Sequence, residues 1–243
     1  MAFLARVNPR YFAAIHQCAA KGDVRYYLNA VHIERHAAGG VVIVATNGHF
    51  LGAIHDPDGW IHPEQQSVLI GSVSKRLLSS CMARKGADDK APANLWIADK
   101  YSVVSSLVEV DQEPELFADY SHLTEKTDLV DGRFPNWRRV MPCISKPLEN
   151  QLPCLNGEYL EAFNKIGVML SGQKRFGGGG IHLEASQDDA SVVVRFSSHD
   201  LLNKFVGVVM PMRSDKIETI LPAWAMSEAE AERKKEAEAA KAA

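Results

Sequence analysis

Apolar and polar positions along this chain follow two periods, and the switch between them recurs. Asn8 can cap a first helical turn and Pro9 suits the position after it, while Phe12, Ile15 and Ala19 share one face, which predicts a short amphipathic helix. Extended patterns follow. Val31 and Ile33 alternate with His32 and Glu34, and the runs VVIVAT (41–46) and LGAI (51–54) are set off by Ala-Gly-Gly and Asn-Gly turns. A strand over 67–70 leads to a second helix over 72–86, with Val73, Leu77, Leu78 and Cys81 on one side. Strands are then expected over 94–99, over 101–110 and in a stretch ending in RRVMP (138–142). A third helix opens at Asn156, where 158–170 align Leu160, Phe163, Ile166 and Leu170, and strands follow over 181–185, 191–196 and 204–212.

One helix followed by a strand meander thus occurs three times, as a repeat of pattern rather than of letters. Each unit leaves one sheet face and one helix stripe to bury, so two units side by side make a two-layer α+β domain. The count predicts one complete domain and half of another. Residues 216–226 hold Ile217, Ile220, Leu221 and Trp224, too apolar for plain linker, with the half-domain, a neighbouring chain or a pocket elsewhere on the chain as places to pack. Residues 227–243 are Ala/Glu/Lys of low complexity and read as a solvated helix or tail.

Composition narrows the class. With 243 residues, 46% hydrophobic and 23% charged, the chain is neither collagenous, wholly disordered nor a disulfide scaffold. No apolar run approaches the roughly 20 residues needed to cross a bilayer, and the N-terminus lacks a signal-peptide core, so a cytoplasmic protein is expected. Cys18, Cys81, Cys143 and Cys154 have no CxxC spacing and read as reduced thiols. The nine histidines supply no ligand set, GGGG (177–180) lacks the Lys-Ser/Thr of a phosphate loop, and His199-Asp200 has no nucleophile motif beside it. No enzyme, metal or cofactor is expected.

The chain carries a formal charge of −3, yet its three helical regions together hold an excess of seven positive charges. Helices that line up would present a positive face, the electrostatic footprint of phosphate-backbone contact, although basic residues also decorate solvated helix faces. With no base-reading motif, sequence-independent contact is the nucleic-acid mode supported.

Three stretches resemble the bacterial DNA polymerase III beta subunit, the sliding clamp: DVRYYLNAVHIE (23–34) with VATNGHFL (44–51), LVDGRFPNWRRVMP (129–142), and VVMPMR (208–213). The resemblance implies a DNA-clamp fold, α+β, with 1–142 similar to the middle domain, 143–213 to a shortened last domain, and 214–243 as a C-terminal extension. It further implies a ring with helices around duplex DNA. Arg10, Lys75, Arg76, Arg84, Lys85, Lys165, Lys174 and Arg175 are hole-facing candidates, and Arg25, Tyr26 and Tyr27 lie in a loop that approaches DNA. If a ring needs six domains, hence twelve units, four chains of three units supply them, a homo-oligomer.

The family's pocket for the clamp-binding peptides of polymerases and other partners matches Leu28, Thr46, Gly48, His49, Leu51, Pro135, Arg139, Val140, Val208, Met210, Pro211 and Met212. Met and aliphatic side chains there suit Leu and Phe anchors, while Arg139 and Thr46 could fix polar groups. A clamp loader is a further implied partner. Asn47 and Phe50 stand where the family has Asp and Arg, which implies a less charged and more apolar pocket rim. Trp137 replaces a Tyr, and by the resemblance a missing first domain and a shortened last domain remove the family's joining surfaces. The alternative reading is a non-ring decoy or adaptor that keeps the pocket.

Overall fold

The computed structural model describes residues 3–82, 91–108, 113–114, 121–142, 145–147, 153–171, 180–186 and 191–212. The chain forms two units, Met1–Pro211 and Met212–Ala243, and every described helix and strand lies in the first.

Strand β1 (Phe3–Val7) runs into helix α1 (Pro9–Ile15). The Asn8 side-chain oxygen accepts from the Arg10 and Tyr11 amides at 3.0 and 3.2 Å, and Pro9 sits where no amide hydrogen is needed. Behind this cap, Asp56 accepts from the Asn8 amide at 2.6 Å. Phe12, Ala13, Ala14 and Ile15 are fully buried. A meander follows: β2 (Val31–Arg35), β3 (Val41–Thr46) and β4 (Phe50–Asp56), then the two-residue β5 (Trp60–Ile61). The second unit has β6 (Ser67–Gly71), α2 (Lys75–Ser80), β7 (Asn94–Ala98), β8 (Tyr101–Ser105), β9 (Ser121–Lys126) and β10 (Asp128–Leu129). Ser74 caps α2 through the Leu77 amide at 3.0 Å, which starts the helix three residues later than the apolar pattern suggested. The third unit has β11 (Ser145–Pro147), α3 (Gly157–Ser171), β12 (Ile181–Ser186), β13 (Val192–Phe196), the four-residue α4 (His199–Leu202) and β14 (Phe205–Val209).

The expected strand at RRVMP is not one. Residues Trp137–Val140 form a 3-10 turn, held by local bonds from the Arg139 amide to Asn136 and from the Met141 amide to Arg138.

The strands make two antiparallel sheets, ordered β5-β1-β7-β8-β9 and β10-β6-β2-β3-β4-β14-β13-β12-β11. The first two units exchange their leading strands: β1 pairs with β7 of the second meander, and β6 pairs with β2 of the first. Among the described residues the third unit has no such partner, and β11 folds onto its own meander beside β12. Strand β14 pairs with β4, which joins the meanders of units one and three into one sheet. Helices α1 and α3 pack side by side on its inner face.

Every residue of β3 is buried, as its unbroken apolar run requires. One face belongs to the main core with Phe12, Ile15, Ile43, Phe163 and Ile166. Its other face carries a smaller cluster of Val42, Val44, Leu51, Ala53 and Leu69, roofed by Phe134 with Trp137 and Met141. Cys18 and Cys81 are buried free thiols; burial raises both, Cys81 to about 12, which leaves them unreactive.

Candidate functional site

The roofed face opens at its edge into a cavity of about 240 Å³. Its floor is the β3–β4 hairpin, with Thr46, Gly48, His49, Phe50 and Leu51. The turn is tied by its own side chains. Asn47 Oδ1 accepts from the amides of His49 and Phe50 at 2.9 and 3.1 Å, which fixes the turn. Thr46 Oγ1 donates to the Phe50 carbonyl at 2.8 Å and accepts from the Gly48 amide at 3.0 Å. Its hydrogen is therefore committed to the turn rather than open to a ligand. Gly48 has φ +91°, where a side chain would be strained and would press on the Arg25 guanidinium.

A second side comes from Arg25, Tyr27 and Leu28, the last on a 3-10 turn over Tyr26–Asn29. Val208 and Met210 close a third side, and the Met210 amide donates to the His49 carbonyl at 2.9 Å. The fourth side is a wall of Pro135, Asn136, Trp137 and Val140. The cavity is apolar, and Val140 and Met210 are among its half-exposed members.

Nine of the twelve pocket positions expected from the sequence line this cavity: Leu28, Thr46, Gly48, His49, Leu51, Pro135, Val140, Val208 and Met210. Arg139 is exposed and, with Pro211, is not among the lining residues; Met212, also half-exposed, is the first residue of the C-terminal stretch Met212–Ala243. Sequence reasoning put Phe50 on the pocket rim without naming it as lining, did not place Asn136 and Trp137 there, and assigned Arg25 and Tyr27 to DNA. Phe50 is 6% exposed and stacks on Tyr159 of α3 at 4.7 Å, with His49 over the same ring at 6.3 Å. Phe where the family has Arg was the available signal for an aromatic floor.

Beyond this His49–Phe50 ridge lies a polar cleft of about 560 Å³ between residues 17–23 and α3, bearing Lys21, Asp23, Glu158, Glu161 and Lys165. Among the described residues, no group of His, Cys, Asp and Glu is arranged to hold a metal.

The candidates for DNA contact are dispersed and partly neutralised. Lys75 and Arg76 are exposed on the first turn of α2, and Arg76 Nε lies 3.9 Å from Glu125. Arg10 is half-buried on α1, and Lys165 pairs with Glu161 at 2.7 Å one turn away. Arg25 grips Asp23 at 2.7 Å, and its hydrogen bonds pull that carboxyl down to about 2. Tyr26 donates its hydroxyl to the Asp131 carbonyl at 3.1 Å. Arg84, Lys85, Lys174 and Arg175 lie outside the described residues.

Two sheets with exchanged leading strands, helices packed on the inner face and a third meander continuing the second sheet define the sliding-clamp fold. Bacterial sliding clamps are among the solved structures it resembles. The Borrelia burgdorferi DNA polymerase III subunit beta, solved with a natural product, matches with TM-score 0.57 at 13% identity, over 86% of this chain and 62% of that one. The Pseudomonas aeruginosa DNA polymerase sliding clamp matches with TM-score 0.57 at 18% identity, over 87% and 67%. The Bartonella birtlesii sliding clamp, bound to griselimycin, matches with TM-score 0.58 at 14% identity, over 88% and 68%. The chain thus spans about two thirds of the length of these clamps or less. No family model matches the sequence. No curated protein matches it either.

Proposed function

We propose that this chain is a reduced sliding-clamp-like replication factor without catalytic activity. Its apolar cavity takes the clamp-binding peptides of DNA polymerases or other partners, and its helices face duplex DNA without reading sequence. The observation that carries this reading is convergence. Four stretches far apart in the chain, around Leu28, Leu51, Trp137 and Met210, meet at one apolar cavity in a fold shared with clamps. An adaptable Met and aliphatic walls suit Leu and Phe anchors. Exposed Lys75 and the α1 residue Arg10 support weak phosphate contact, which suffices where topological linkage prevents dissociation.

The test is a titration of the full chain with a fluorescent peptide of Gln-Leu-x-Leu-Phe pattern. Saturable binding that an unlabelled copy displaces is expected. Absence of binding, or binding unchanged when both Leu residues and the Phe of the peptide become Ala, removes the pocket assignment.

A further inference from the structure

The wall of the cavity, residues 131–141, has almost no backbone tie to the sheet it roofs. The Val130 amide donates to the Leu69 carbonyl just before it. Within 131–141 the backbone bonds among the described residues are local, Arg139 to Asn136 and Met141 to Arg138. Its placement therefore rests on side chains: the Tyr26 hydroxyl holds the Asp131 carbonyl at its start, and β2 supplies the polar contacts further along.

Phe134, 8% exposed, lies flat on the His32 ring at 4.7 Å and 4°. Two residues along the same strand face, the Glu34 carboxylate takes both neighbours: Oε2 meets His32 Nε2 at 3.0 Å, and Oε1 pairs with Arg138 Nη1. The Arg138 guanidinium in turn covers the Trp137 ring at 4.3 Å, and Trp137 lines the cavity. Burial opposes the Glu34 charge, but the hydrogen bonds from His32 and Arg138 outweigh it and hold the carboxyl below its ordinary range. Because His32 Nδ1 is buried without a partner among the described residues, the neutral tautomer that fits is the one with its hydrogen on Nε2, donated to Glu34.

The same wall has a second cleft on its reverse side, lined by His32, Glu34, Phe134 and Arg138. The wall is thus a partition with a cavity on each side, and it is pinned from one of them. Resting on the reading of the cavity as a peptide socket, we propose that Glu34 is a positioning residue for that socket. It acts through Arg138 and Trp137 and sets the width available to a ligand anchor without touching the ligand.

Two measurements on the full chain test this. The first is peptide titration of Glu34→Ala, Arg138→Ala and the double variant, with Glu34→Gln as the isosteric control should Ala compromise folding. About tenfold weaker binding is expected for each single variant, with the double variant no weaker than the worse single, the mark of two residues acting as one unit. Glu34→Gln should fall between Glu34→Ala and the unmodified chain. Effects within twofold, or effects that simply multiply, overturn the proposal.

The second measurement needs no ligand. Glu34→Ala should shift tryptophan emission in the unmodified background and leave it unmoved when Trp137 is Phe. A shift that persists without Trp137, or no shift at all, overturns the proposal independently of peptide binding. If the unmodified chain binds no peptide while the emission shift depends on Trp137, the wall is pinned as described, and it is the peptide reading that fails.

Discussion

Gly52 on β4 and Gly207 on β14 stand directly opposite each other across the strand pair that joins two meanders into one sheet. Neither tolerates a side chain. A Cβ on Gly52 would lie 2.8 Å from Cys18 Sγ, and one on Gly207 would run into the Phe163 ring. The glycine pair therefore makes a shallow trough in the inner face of the sheet. Phe163 of α3 settles there, edge-on to Phe50 at 5.6 Å and to Phe205 at 6.3 Å. Phe50 lines the apolar cavity, so the joint between the units and the floor of that cavity share one aromatic cluster.

Gly207→Ala is expected to destabilise the chain by roughly 1–3 kcal/mol through overpacking. This outweighs the roughly 0.5–1 kcal/mol that Ala otherwise gains over Gly in a strand. Phe163→Leu, which shortens the offending ring, should make the same substitution cheaper, so the double variant unfolds less readily than the two single losses combined predict. Urea unfolding measures both; strict additivity would remove the steric account of the joint.

Leu28 and Met210 both line the cavity but differ in what else they do. Leu28 is 2% exposed and Met210 is 46% exposed. Met210→Ala should weaken peptide binding by about 1–3 kcal/mol with little change in melting temperature. Leu28→Ala should lower both, because it also leaves a hole in a packed region. Equal melting temperatures for the two variants would contradict this division, and Met210→Ala binding peptide as tightly as the unmodified chain would contradict the pocket assignment.

The parts of the fold that were legible in the sequence are those whose signal is local. The Asn8-Pro9 start of α1, the apolar stripe of α3 and the fully buried run of β3 each follow from residues within one turn or one strand. The pairings were not legible. That β1 belongs beside β7 and β6 beside β2 is decided by contacts between residues dozens of positions apart, which periodicity does not encode. Strand β9 (SHLTEK) is too polar to announce itself and is a strand because β8 supplies its partners. At 138–142 the Val-Met pair mimics a strand, yet both residues belong to the wall of the cavity. The site followed the same rule. Motif stretches supplied most lining positions, whereas Phe50 and Trp137 were visible only as departures whose role depends on Tyr159 and Arg138 across space.

His16 gives a pH dependence of known sign. Burial, and secondarily the Lys21 charge, lower it to about 4 from an ordinary 6.5. The unfolded chain therefore takes up a proton as pH falls through about 6.5 while the folded chain resists until about 4, so stability declines across that window and levels off below it. The loss should be on the order of 2 kcal/mol, since His16 keeps some solvent contact. Asp56 works the other way. Burial raises its carboxyl, so the folded chain binds that proton first and gains stability as pH falls through the folded value. Comparing urea midpoints of the unmodified chain and His16→Gln from neutral pH downward isolates the histidine; parallel curves would show that His16 carries no such dependence.

Assembly is the last expectation, and the free edges of the sheets shape it. Among the described residues, β9 ends the five-stranded sheet and β11 ends the nine-stranded one, with β5 and β10 as edges of only two residues. The β11 edge carries Lys146 and Pro147, residue types that discourage strand addition, so a joint at that end must use side-chain surface of the third unit instead. The six-residue β9 has no proline and offers backbone groups to a second copy. Under the proposed ring reading, two different two-fold joints, one at each end of the chain, allow closure after four chains, which together hold twelve units. Light scattering in the micromolar range should therefore report a mass near four times the 26.7 kDa of one chain. Strand alternation puts the amide of either Leu123 or Thr124 on the open edge of β9, so one of Leu123→Pro and Thr124→Pro should halve that mass while the β11-end joint persists. A strict monomer for the unmodified chain would defeat the ring and leave a peptide-binding protein that does not encircle DNA.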